Sequence, residues 1–441
     1  MGQLLRAKVR TTFQSLAERN YRLFAAGQLT KQLGVWIQFV AQDWLVLDLT
    51  DNSASALGLI TGIQFLPVVL LSLYGGKLAD RYDKRRLLVW TNACYFALGL
   101  VMGVLVSTGV ITLALVFVVA ALMGVVNAIE NPLRQSFISE LVERPLLPNA
   151  LGLASAAFNT ARIVGPALAG VAIWAVGLGP VFLVTSAFYL APLVFLLQMR
   201  PAELHGVRTV GSRERDGARI RDGLTYVWQR PDLRLPLALL LLVGMCGFNF
   251  QLTLSVLAKN VYGTGAEQFG LLTTALASGA LAGALVSGGR RTRPGVYAVI
   301  GSAVVFGTLE ILVGLAPTFW ATALLLVPTG FAMVFYAQAT NQRMQLGVTA
   351  RFRGRVMALF TLVFLGTTPV GGPLVGFVSE HAGPRVGVWG GGLVCLLAAL
   401  GALAWHLHES GERLRVALHP LPRFEVIPAA TDEAPALVNV R

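Results

Sequence analysis

The stretch GGKLADRYDKRRLL, residues 75–88, is a short charged segment between two long apolar ones. The apolar segments at 56–79 and 87–107 that run into it are each longer than the ~18 residues expected of a membrane-crossing helix. A charged loop between two such spans has to lie at a membrane surface, because charge inside hydrocarbon is costly. The stretch therefore predicts an all-α polytopic membrane protein.

The composition of the whole chain points the same way. Of 441 residues, 55% are hydrophobic and only 13% are charged, whereas about 25% of the residues of a soluble domain are charged. This balance excludes a soluble globular protein, which needs more surface charge to stay in water. The three cysteines lie in apolar stretches without metal-ligand spacing, so neither a metal site nor a disulfide framework is expected.

Apolar runs bounded by charged or turn residues predict twelve membrane spans in two sets of six. An N-terminal six-helix bundle is predicted at 23–199, with spans at 23–48, 56–79, 87–107, 110–132, 149–176 and 179–199. A C-terminal six-helix bundle is predicted at 233–408, with spans at 233–258, 266–288, 296–316, 318–342, 354–379 and 384–408. The remaining segments are predicted to be a cytoplasmic N-terminal segment, a cytoplasmic linker and a disordered cytoplasmic tail, at 1–22, 200–232 and 409–441.

The formal net charge of +13 would ordinarily suggest a nucleic-acid binder, but the positions of the charges explain it differently. Threading the twelve spans through a membrane puts 31 of the 35 Lys and Arg residues on the side that carries both termini and the linker. By the positive-inside rule that side is cytoplasmic. The basicity therefore indicates the orientation of a multi-pass protein in the lipids of a bacterial cytoplasmic membrane, and no nucleic-acid partner is expected.

The two halves repeat one another at an offset of about 211 residues. In spans 4 and 10, polar residues recur at positions i, i+3, i+4 and i+7, which share one helical face: Asn127, Glu130, Asn131 and Arg134, then Gln338, Asn341, Gln342 and Gln345. In spans 5 and 11, GPALAG at 165–170 matches GGPLVG at 371–376. Such symmetry is typical of transporters whose two bundles move about a central site, although small and polar residues can also simply pack helices together.

The opening stretch resembles the signature of the major facilitator superfamily, Gly-x-Leu-Ala-Asp-Arg-x-Gly-Arg-Arg/Lys. The matching residues are Gly76, Leu78, Ala79, Asp80, Arg81, Lys84 and Arg85, and Asp83 stands where the family usually has Gly. Further stretches resemble its drug/proton antiporter branch, which includes the enterobactin exporter, macrolide efflux proteins and transmembrane secretion effectors: RNYRLFAAGQ (19–28), DWLVLDLTDNSASALGL (43–59), NPLRQSFISELV (131–142) and NALGLASAAFNTARIVGPALAG (149–170). The resemblance implies a twelve-helix major facilitator fold and a monomeric transporter of small molecules.

The resemblance also implies a gating role for the matching residues of this loop. Asp80, at a cytoplasmic helix end, is able to accept hydrogen bonds from a facing helix N-terminus and to pair with nearby Arg residues. In the family this contact latches the two bundles on the cytoplasmic side. The alternative, a loop kept basic only for orientation, explains Lys84 and Arg85 but not Asp80.

Five charged residues inside the predicted spans are candidates for function, because each needs a partner or a water-filled cavity there: Lys31, Asp43, Glu130, Arg162 and Glu310. Lys31 and Glu130 are expected to share the inner half of a cavity, together with Arg134. Arg162, at the middle of span 5, matches the Arg of the family's Ala-Arg-Ile-Val-Gly-Pro stretch. The resemblance implies a role in the central site or in holding a neighbouring helix, and a buried structural ion pair is the alternative. Asp43 is either a protonation site facing an outer cavity or an interfacial carboxylate beside Trp44.

Other polar residues are candidates for the same cavity. Gln38 lies on a polar face of span 1 with Lys31, and Asn159 shares a face of span 5 with Arg162. On a continuous helix Asn249 and Gln251 would lie 200° apart, so at most one faces a cavity, and Gln251 is preferred. The full set of predicted cavity residues is Lys31, Gln38, Asp43, Glu130, Asn131, Arg134, Asn159, Arg162, Gln251, Gln338 and Asn341. The predicted helix-packing or gate residues are Gly165, Pro166, Gly170, Gly372, Pro373 and Gly376.

No P-loop, zinc-ligand spacing or nucleophile elbow occurs in the sequence, so neither an enzyme nor a cofactor is expected. The sequence predicts a secondary active exporter that moves amphipathic or hydrophobic small molecules outward by alternating access, in exchange for protons. A dedicated exporter of a siderophore or a lipid is the alternative of the same fold, and an anionic substrate would give Lys31, Arg134 and Arg162 the binding role. A non-transporting membrane sensor or scaffold is the alternative of a different class.

Overall fold

The computed structural model describes residues 13–205, 220–288, 292–410, 412–417 and 423–428. Within these residues the chain is almost entirely helical, as the apolar runs predict. The helices of the first half are α1 (Arg19–Leu49), α2 (Ala54–Arg81), α3 (Lys84–Ser107), α4 (Leu113–Leu141), α5 (Leu147–Val176) and α6 (Leu178–Gln198). Short 3₁₀ turns occur at Gln14–Ala17, Arg144–Leu146 and Pro201–Glu203.

The second half begins with a short helix and then repeats the pattern. Its helices are α7 (Ile220–Trp228), α8 (Pro231–Gly247), α9 (Phe250–Val256), α10 (Ala266–Gly288), α11 (Val296–Leu315), α12 (Phe319–Leu346), α13 (Ala350–Gly366), α14 (Thr368–His381) and α15 (Pro384–Ser410). A single π-helical turn, Leu257–Val261, extends α9. α7 lies in the predicted linker, whose residues 206–219 are outside the described part of the chain.

Eleven helical stretches of the described residues are long and apolar enough to cross a membrane. The twelfth predicted span is α1, which falls short on composition because polar residues such as Lys31, Gln38 and Asp43 interrupt it. Those three side chains are nevertheless buried within the protein. The 31 residues of α1 extend about 46 Å at 1.5 Å per residue, which is enough to span a bilayer.

Spans 7 and 11 are both present, but each is interrupted by a break. Span 7 breaks at Phe248 and Asn249, between α8 and α9, and span 11 breaks at Thr367, between α13 and α14. At the second break Pro369 occupies the first turn of α14, where a residue without an N–H group is tolerated and a continuing helix is not. Both breaks lie near the middle of their helical stretches, Pro231–Val261 and Phe352–His381.

The two halves contact each other closely at one end of the bundle, which carries the α1–α2 and α14–α15 loops and is called the outer end below. There α2 packs on α14, and α5 packs on α10. A Cβ atom built at Gly58 would lie 2.5 Å from the carbonyl oxygen of Gly372, and one built at Gly170 would lie 2.5 Å from that of Ala266. Only glycine permits these approaches, because a side chain would overlap the facing backbone.

Toward the opposite, inner end the same pair of spans separates. A cleft of about 360 Å³ lies between α2, at Val69 and Ser72, and α13, from Gly354 to Leu365. The bundle is therefore closed at its outer end and divided at the end that the charge distribution predicts to be cytoplasmic.

The tail was predicted to lack regular structure, and its described residues correct this. Strands β1 (Glu412–Ala417) and β2 (Arg423–Pro428) form an antiparallel pair in which Leu414 lies opposite Val426 and Val416 lies opposite Phe424. Both segments alternate apolar and polar residues, which is the period of a strand. A search for helical apolar runs does not detect that period.

Candidate functional site

A cavity of about 280 Å³ lies within the first half, and we call it the lysine cavity after Lys31. Apart from Leu365 of α13, its lining residues come from the first half: Gln28, Lys31, Gln32, Val35, Trp36, Gln38, Phe39, Gln64, Phe65, Val68, Tyr95, Met123, Gly124, Asn127, Glu130, Asn131, Arg134, Phe158 and Tyr189. The lining includes all four polar residues of the α4 repeat, Asn127, Glu130, Asn131 and Arg134. Their spacing of i, i+3, i+4 and i+7 puts them on one helical face.

Lys31, Glu130 and Arg134 form an ion cluster at the wall of the lysine cavity. Lys31 Nζ lies 3.2 Å from Glu130 Oε1, and Arg134 Nε lies 3.6 Å from the same oxygen. The side chains of Lys31 and Glu130 are only 3% and 4% exposed, so each charge depends on the other for compensation. Arg134 also donates a hydrogen bond to Asn131 Oδ1 at 2.9 Å. The structure thus brings together four of the predicted cavity residues.

Two buried tyrosines that the sequence did not single out connect this cluster to Gln38. The Lys31 ammonium group lies 4.2 Å from the centre of the Tyr95 ring, and the rings of Tyr95 and Tyr189 are 5.4 Å apart. The hydroxyl of Tyr189 donates a hydrogen bond to Gln38 Oε1 at 2.5 Å. The lysine is therefore held by an aromatic face as well as by a carboxylate.

A second cavity, of about 170 Å³, contains Asp43 and is called the aspartate cavity; it lies between α1, α2 and the broken span 7. Gln251 Nε2 donates to Asp43 Oδ2 at 2.7 Å, and the hydroxyl of Ser255 lies 3.4 Å from the same oxygen. Asp43 is only 5% exposed, so it is a buried carboxylate that connects the two halves. The alternative of an interfacial carboxylate is wrong for this residue.

The prediction that only one of Asn249 and Gln251 faces a cavity is also wrong. Both line the aspartate cavity, because the helix break at residues 248 and 249 removes the 100° per residue relation on which the prediction rested. Asn249 donates to the carbonyl oxygen of Met245 at 2.8 Å. Gln251 also lines a third cavity, which contains Arg162.

The third cavity, also of about 170 Å³, is called the arginine cavity; its lining residues are Trp36, Arg162, Pro166, Phe248, Phe250, Gln251, Thr273, Leu276, Ala277 and Met333. The Arg162 guanidinium lies 5.9 Å from the centre of the Trp36 ring. None of the ion pairs found among the described residues involves Arg162, so the alternative of a buried structural ion pair has no acidic partner there. Trp36 lines all three cavities and is their common wall.

The predicted gate residues lie where helices approach most closely. A Cβ atom at Gly165 would lie 2.5 Å from Cβ of Trp36, and one at Gly376 would lie 2.6 Å from the carbonyl oxygen of Ala54. The remaining members of the set, Pro166, Gly170, Gly372 and Pro373, contact the facing half through α10 or α2. All six therefore border the cavities or the contact between the halves.

Polar contacts join the halves at the outer end, and the carboxylate of Glu380 is central to them. Glu380 Oε2 accepts hydrogen bonds from the backbone N–H groups of Ala54 and Ser55, at 2.6 and 3.2 Å. Ser53 Oγ accepts from the next N–H, that of Ala56. An acid of the second half thus satisfies two of the free donors at the N-terminus of α2, where negative charge is favoured.

Two further contacts at the outer end join α1 and the loop after it to the π turn of span 7. Lys259 forms an ion pair with Asp48, and Asn260 donates to the carbonyl oxygen of Asn52 at 3.0 Å. Together with the bonds of Glu380 they close this end of the bundle.

The charged loop at 75–88 makes contacts within its own half. Asp83 Oδ1 accepts from the N–H of Arg86 at 2.8 Å and starts α3 with φ of −61°, so this position does not require glycine. Lys84 pairs with Glu140 of α4. Arg85 donates to the carbonyl oxygens of Leu196 and Leu197 at the end of α6, where a cation is favoured.

The other predicted gating residues are less connected. Gly76 has nothing within 4 Å of a built Cβ, and the Arg81 guanidinium lies 5.8 Å from the Tyr82 ring. Leu78 is half-buried. The side chain of Asp80 lies outside the described part of the chain, so its predicted latch remains a prediction.

The second-half counterpart of the loop at 75–88 is the stretch GGRRTRPG, residues 288–295. Its Arg293 bonds to an acid of another helix. Asp232, at the start of α8, pairs with Arg230 at 2.8 Å and with Arg293 at 2.7 Å. The hydrogen bond from Arg230 to Asp232 raises the pKa of Arg230. Arg293 belongs to the stretch at 288–295 that lacks the acid of the first half, and Asp232 supplies one from another helix.

Four polar or charged residues that the sequence marks as candidates lie away from the three cavities. Gln338 is exposed, Asn341 is half-buried, and neither lines the three cavities. Asn159 donates to the carbonyl oxygen of Ser155 on its own helix. Glu310 is buried between α11 and α15, where a Cβ at Gly391 would lie 3.5 Å from its Oε1. The polar repeat therefore builds a cavity in the first half only.

Sequence reasoning missed Trp36, Gln64, Tyr95, Tyr189 and Glu380. Gln64 accepts a hydrogen bond from Gln42 at 2.8 Å and lines two cavities. It is a lone amide in the apolar run ITGIQFLPVV, and that isolation was a usable signal. Glu380 lies at a span end, where an acid is ordinary, so only the facing helix N-terminus reveals its contact.

Comparison with known sequences agrees with this architecture. A family model described as transmembrane secretion effector matches residues 10–440. The Staphyloferrin A transporter of Staphylococcus aureus is 27% identical over 361 residues, which cover 80% of this chain and 87% of that protein. The multidrug efflux pump Tap of Mycolicibacterium fortuitum is 27% identical over 374 residues, which cover 82% of this chain and 89% of that protein.

Solved structures share the fold at low sequence identity. A bacterial homologue of the human lysosomal transporter Spinster, in an inward-facing and unoccupied conformation, matches with a TM-score of 0.69 and 14% identity, over 88% of this chain and 96% of that one. A mutant of the nucleoside transporter NupG matches with a TM-score of 0.68 and 12% identity, over 88% and 99%. The chain belongs to the transmembrane secretion effector family, and it is a multi-pass transporter of the major facilitator superfamily, not an enzyme, in the cytoplasmic membrane.

Proposed function

We propose that this transporter is a secondary active exporter of amphipathic or hydrophobic small molecules, working by alternating access in exchange for protons. The observation that carries the proposal is the group of three cavities around Trp36, one within the first half and two between the halves; the halves are joined at the outer end and separated by a cleft at the inner end. A substrate enters such a site from the cytoplasmic side, and breaking the outer contacts releases it to the other side.

The lining of the cavities supports the substrate class. Aromatic and aliphatic side chains such as Phe65, Phe158 and Phe248 alternate with amides such as Gln38 and Gln64. Apolar walls with a few polar groups suit molecules that have both characters. A relative named as the multidrug efflux pump Tap supports a broad substrate range, whereas one named as the Staphyloferrin A transporter supports a dedicated one. The mixed lining of the cavities favours the broad range.

Asp43 is the proposed proton-coupling residue. Its hydrogen bonds to Gln251 and Ser255 cross between the halves, so protonation removes an acceptor from the contact that joins them. Glu130 is less suited, because Lys31 and Arg134 of its own half already neutralise it. A carboxylate that changes the contact between the halves when it binds a proton links proton movement to the conformational change.

Efflux of the neutral fluorescent probe N-phenyl-1-naphthylamine from cells that express the protein tests the proposal. We expect energised cells to keep the probe out and cells treated with an uncoupler to fill with it. The Asp43→Asn variant should lose this response, whereas Asp51→Asn, the same change at an exposed position of the loop after α1, should keep it. Exclusion of the probe that persists after the proton gradient has collapsed would contradict the antiport.

A further inference from the structure

The charge of Arg162 is the observation from which this inference starts. A guanidinium at the middle of a membrane span needs compensation, and its nearest aromatic group, Trp36, offers only the weak attraction of a ring at 5.9 Å. The acid of the neighbouring cavity, Asp43, directs one oxygen to Gln251 and Ser255. The described residues therefore leave Arg162 as a cation that borders a cavity without an acidic partner.

The other two cations near the cavities differ from Arg162 in this respect. Lys31 and Arg134 both lie within 4 Å of Glu130 Oε1, at 3.2 and 3.6 Å, and Arg134 also bonds to Asn131. Their donors are at least partly used inside the protein. Of the three cations that an anionic substrate was expected to use, Arg162 alone is left without such a partner in the described part of the chain.

The surroundings of Arg162 define what a ligand there has to look like. The arginine cavity combines the guanidinium with the apolar side chains of Phe248, Phe250, Leu276 and Met333. A planar guanidinium binds a carboxylate through two parallel hydrogen bonds. An aromatic or aliphatic body attached to that carboxylate would be buried against the apolar wall.

We propose that the arginine cavity is a binding subsite for the carboxylate of an amphipathic anion, held by Arg162, with its apolar body against Trp36 and Phe248. This inference rests on the proposed export function and narrows its substrate class. Amphipathic carboxylates are then preferred over neutral or cationic molecules of the same body.

Three probes that share one aromatic body test the proposal: 2-naphthoate, 2-naphthamide and 2-naphthylmethylammonium. Binding of each to the purified full-length protein in nanodiscs is measured by equilibrium dialysis. We expect the wild type to bind the carboxylate at least about tenfold more tightly than the amide, since a hydrogen bond to a charged partner is stronger than a neutral one by that order. The ammonium probe should bind most weakly.

Variants locate the preference. Arg162→Gln should bind carboxylate and amide equally while keeping the amide affinity of the wild type, which also reports that the variant is folded. Arg162→Lys should keep part of the preference, and Arg200→Gln, which changes an exposed arginine paired with Glu203 away from the cavities, should keep all of it. A wild type that binds the amide or the ammonium as tightly as the carboxylate would overturn the proposal even if the Arg162 variants fail to fold.

The outcome is separable from that of the proposed function. Efflux of N-phenyl-1-naphthylamine tests export itself, whereas the ratio of the two dissociation constants tests only the subsite. Export without a carboxylate preference refutes the subsite alone, and a carboxylate preference without gradient-dependent efflux refutes the export function alone.

Discussion

Replacing Glu380 by Gln should shift the balance between the outer-closed and outer-open conformations. In the structure the Glu380 carboxylate accepts two backbone hydrogen bonds at the N-terminus of α2, from Ala54 and Ser55, at 2.6 and 3.2 Å. The substitution keeps the size and one acceptor oxygen but removes the charge. Glu380 is exposed, and a carboxylate at a helix N-terminus contributes about 0.3–1 kcal/mol at an exposed site, so we expect the outer contact to lose about 0.3–1 kcal/mol.

A loss of that size changes the ratio of outer-open to outer-closed molecules by about 2- to 5-fold. The ratio is measurable as a distance distribution between spin labels on two exposed outer loops, at Asp51→Cys and Ala382→Cys. The native cysteines, which are free, are first replaced by Ala: Cys94, Cys246 and Cys395. Pulsed electron spin resonance then reports the fraction of protein with the longer distance, in the absence of substrate.

Glu409→Gln is the matched control, because it removes the same charge from an exposed position at the end of α15, away from the outer contacts. It should leave the distance distribution unchanged. If Glu380→Gln gives the same distribution as the control, the carboxylate does not hold the halves together and the reasoning from the helix N-terminus is wrong.

Three further variants test other parts of the structure. Gly58→Leu should reduce efflux at least tenfold at unchanged membrane levels, because a Cβ there would lie 2.5 Å from a facing carbonyl oxygen, whereas Gly301→Leu, with nothing within 4 Å, should transport normally. Glu130→Gln should lower the free energy of unfolding by about 3–5 kcal/mol, since it leaves the buried Lys31 without its carboxylate. The double variant Lys31→Met, Glu130→Met should recover most of that free energy. Equal thermal stability of the single and double variants in detergent would count against the ion pair. Tyr189→Phe should destabilise by about 1 kcal/mol through loss of one buried hydrogen bond, and an unchanged melting temperature would argue that the bond does not form.

Apolar run length and charge position were sufficient to predict the helices, because a bilayer imposes both directly on the sequence. The breaks at Asn249 and Thr367 were not predictable in this way, since they interrupt runs that remain apolar throughout. The two tail strands were missed because their period of two is invisible to a search for long helices. The positions of the helices thus follow from local composition, whereas the breaks within them depend on contacts with other helices.

The site was predictable where one helix alone determines it. Glu130 and Arg134 share a face with Asn131 because helical geometry puts them there, and Lys31 had to find a partner for its charge. The pairing of Asp43 with Gln251, and of Glu380 with the start of α2, depends on how helices far apart in sequence meet. The repeat in α12 misled for the same reason, because Gln338 shares the sequence pattern of α4 but not its place beside a cavity.

Proton movement through this protein is proposed to drive substrate export. Purified protein in liposomes with an acidic interior tests it directly, by measuring the internal concentration of N-phenyl-1-naphthylamine after correction for the amount that partitions into protein-free liposomes. The account predicts accumulation above the external concentration, loss of that accumulation when an ionophore collapses the pH gradient, and none with Asp43→Asn. A wild-type protein that only equilibrates the probe, with or without the gradient, would contradict it.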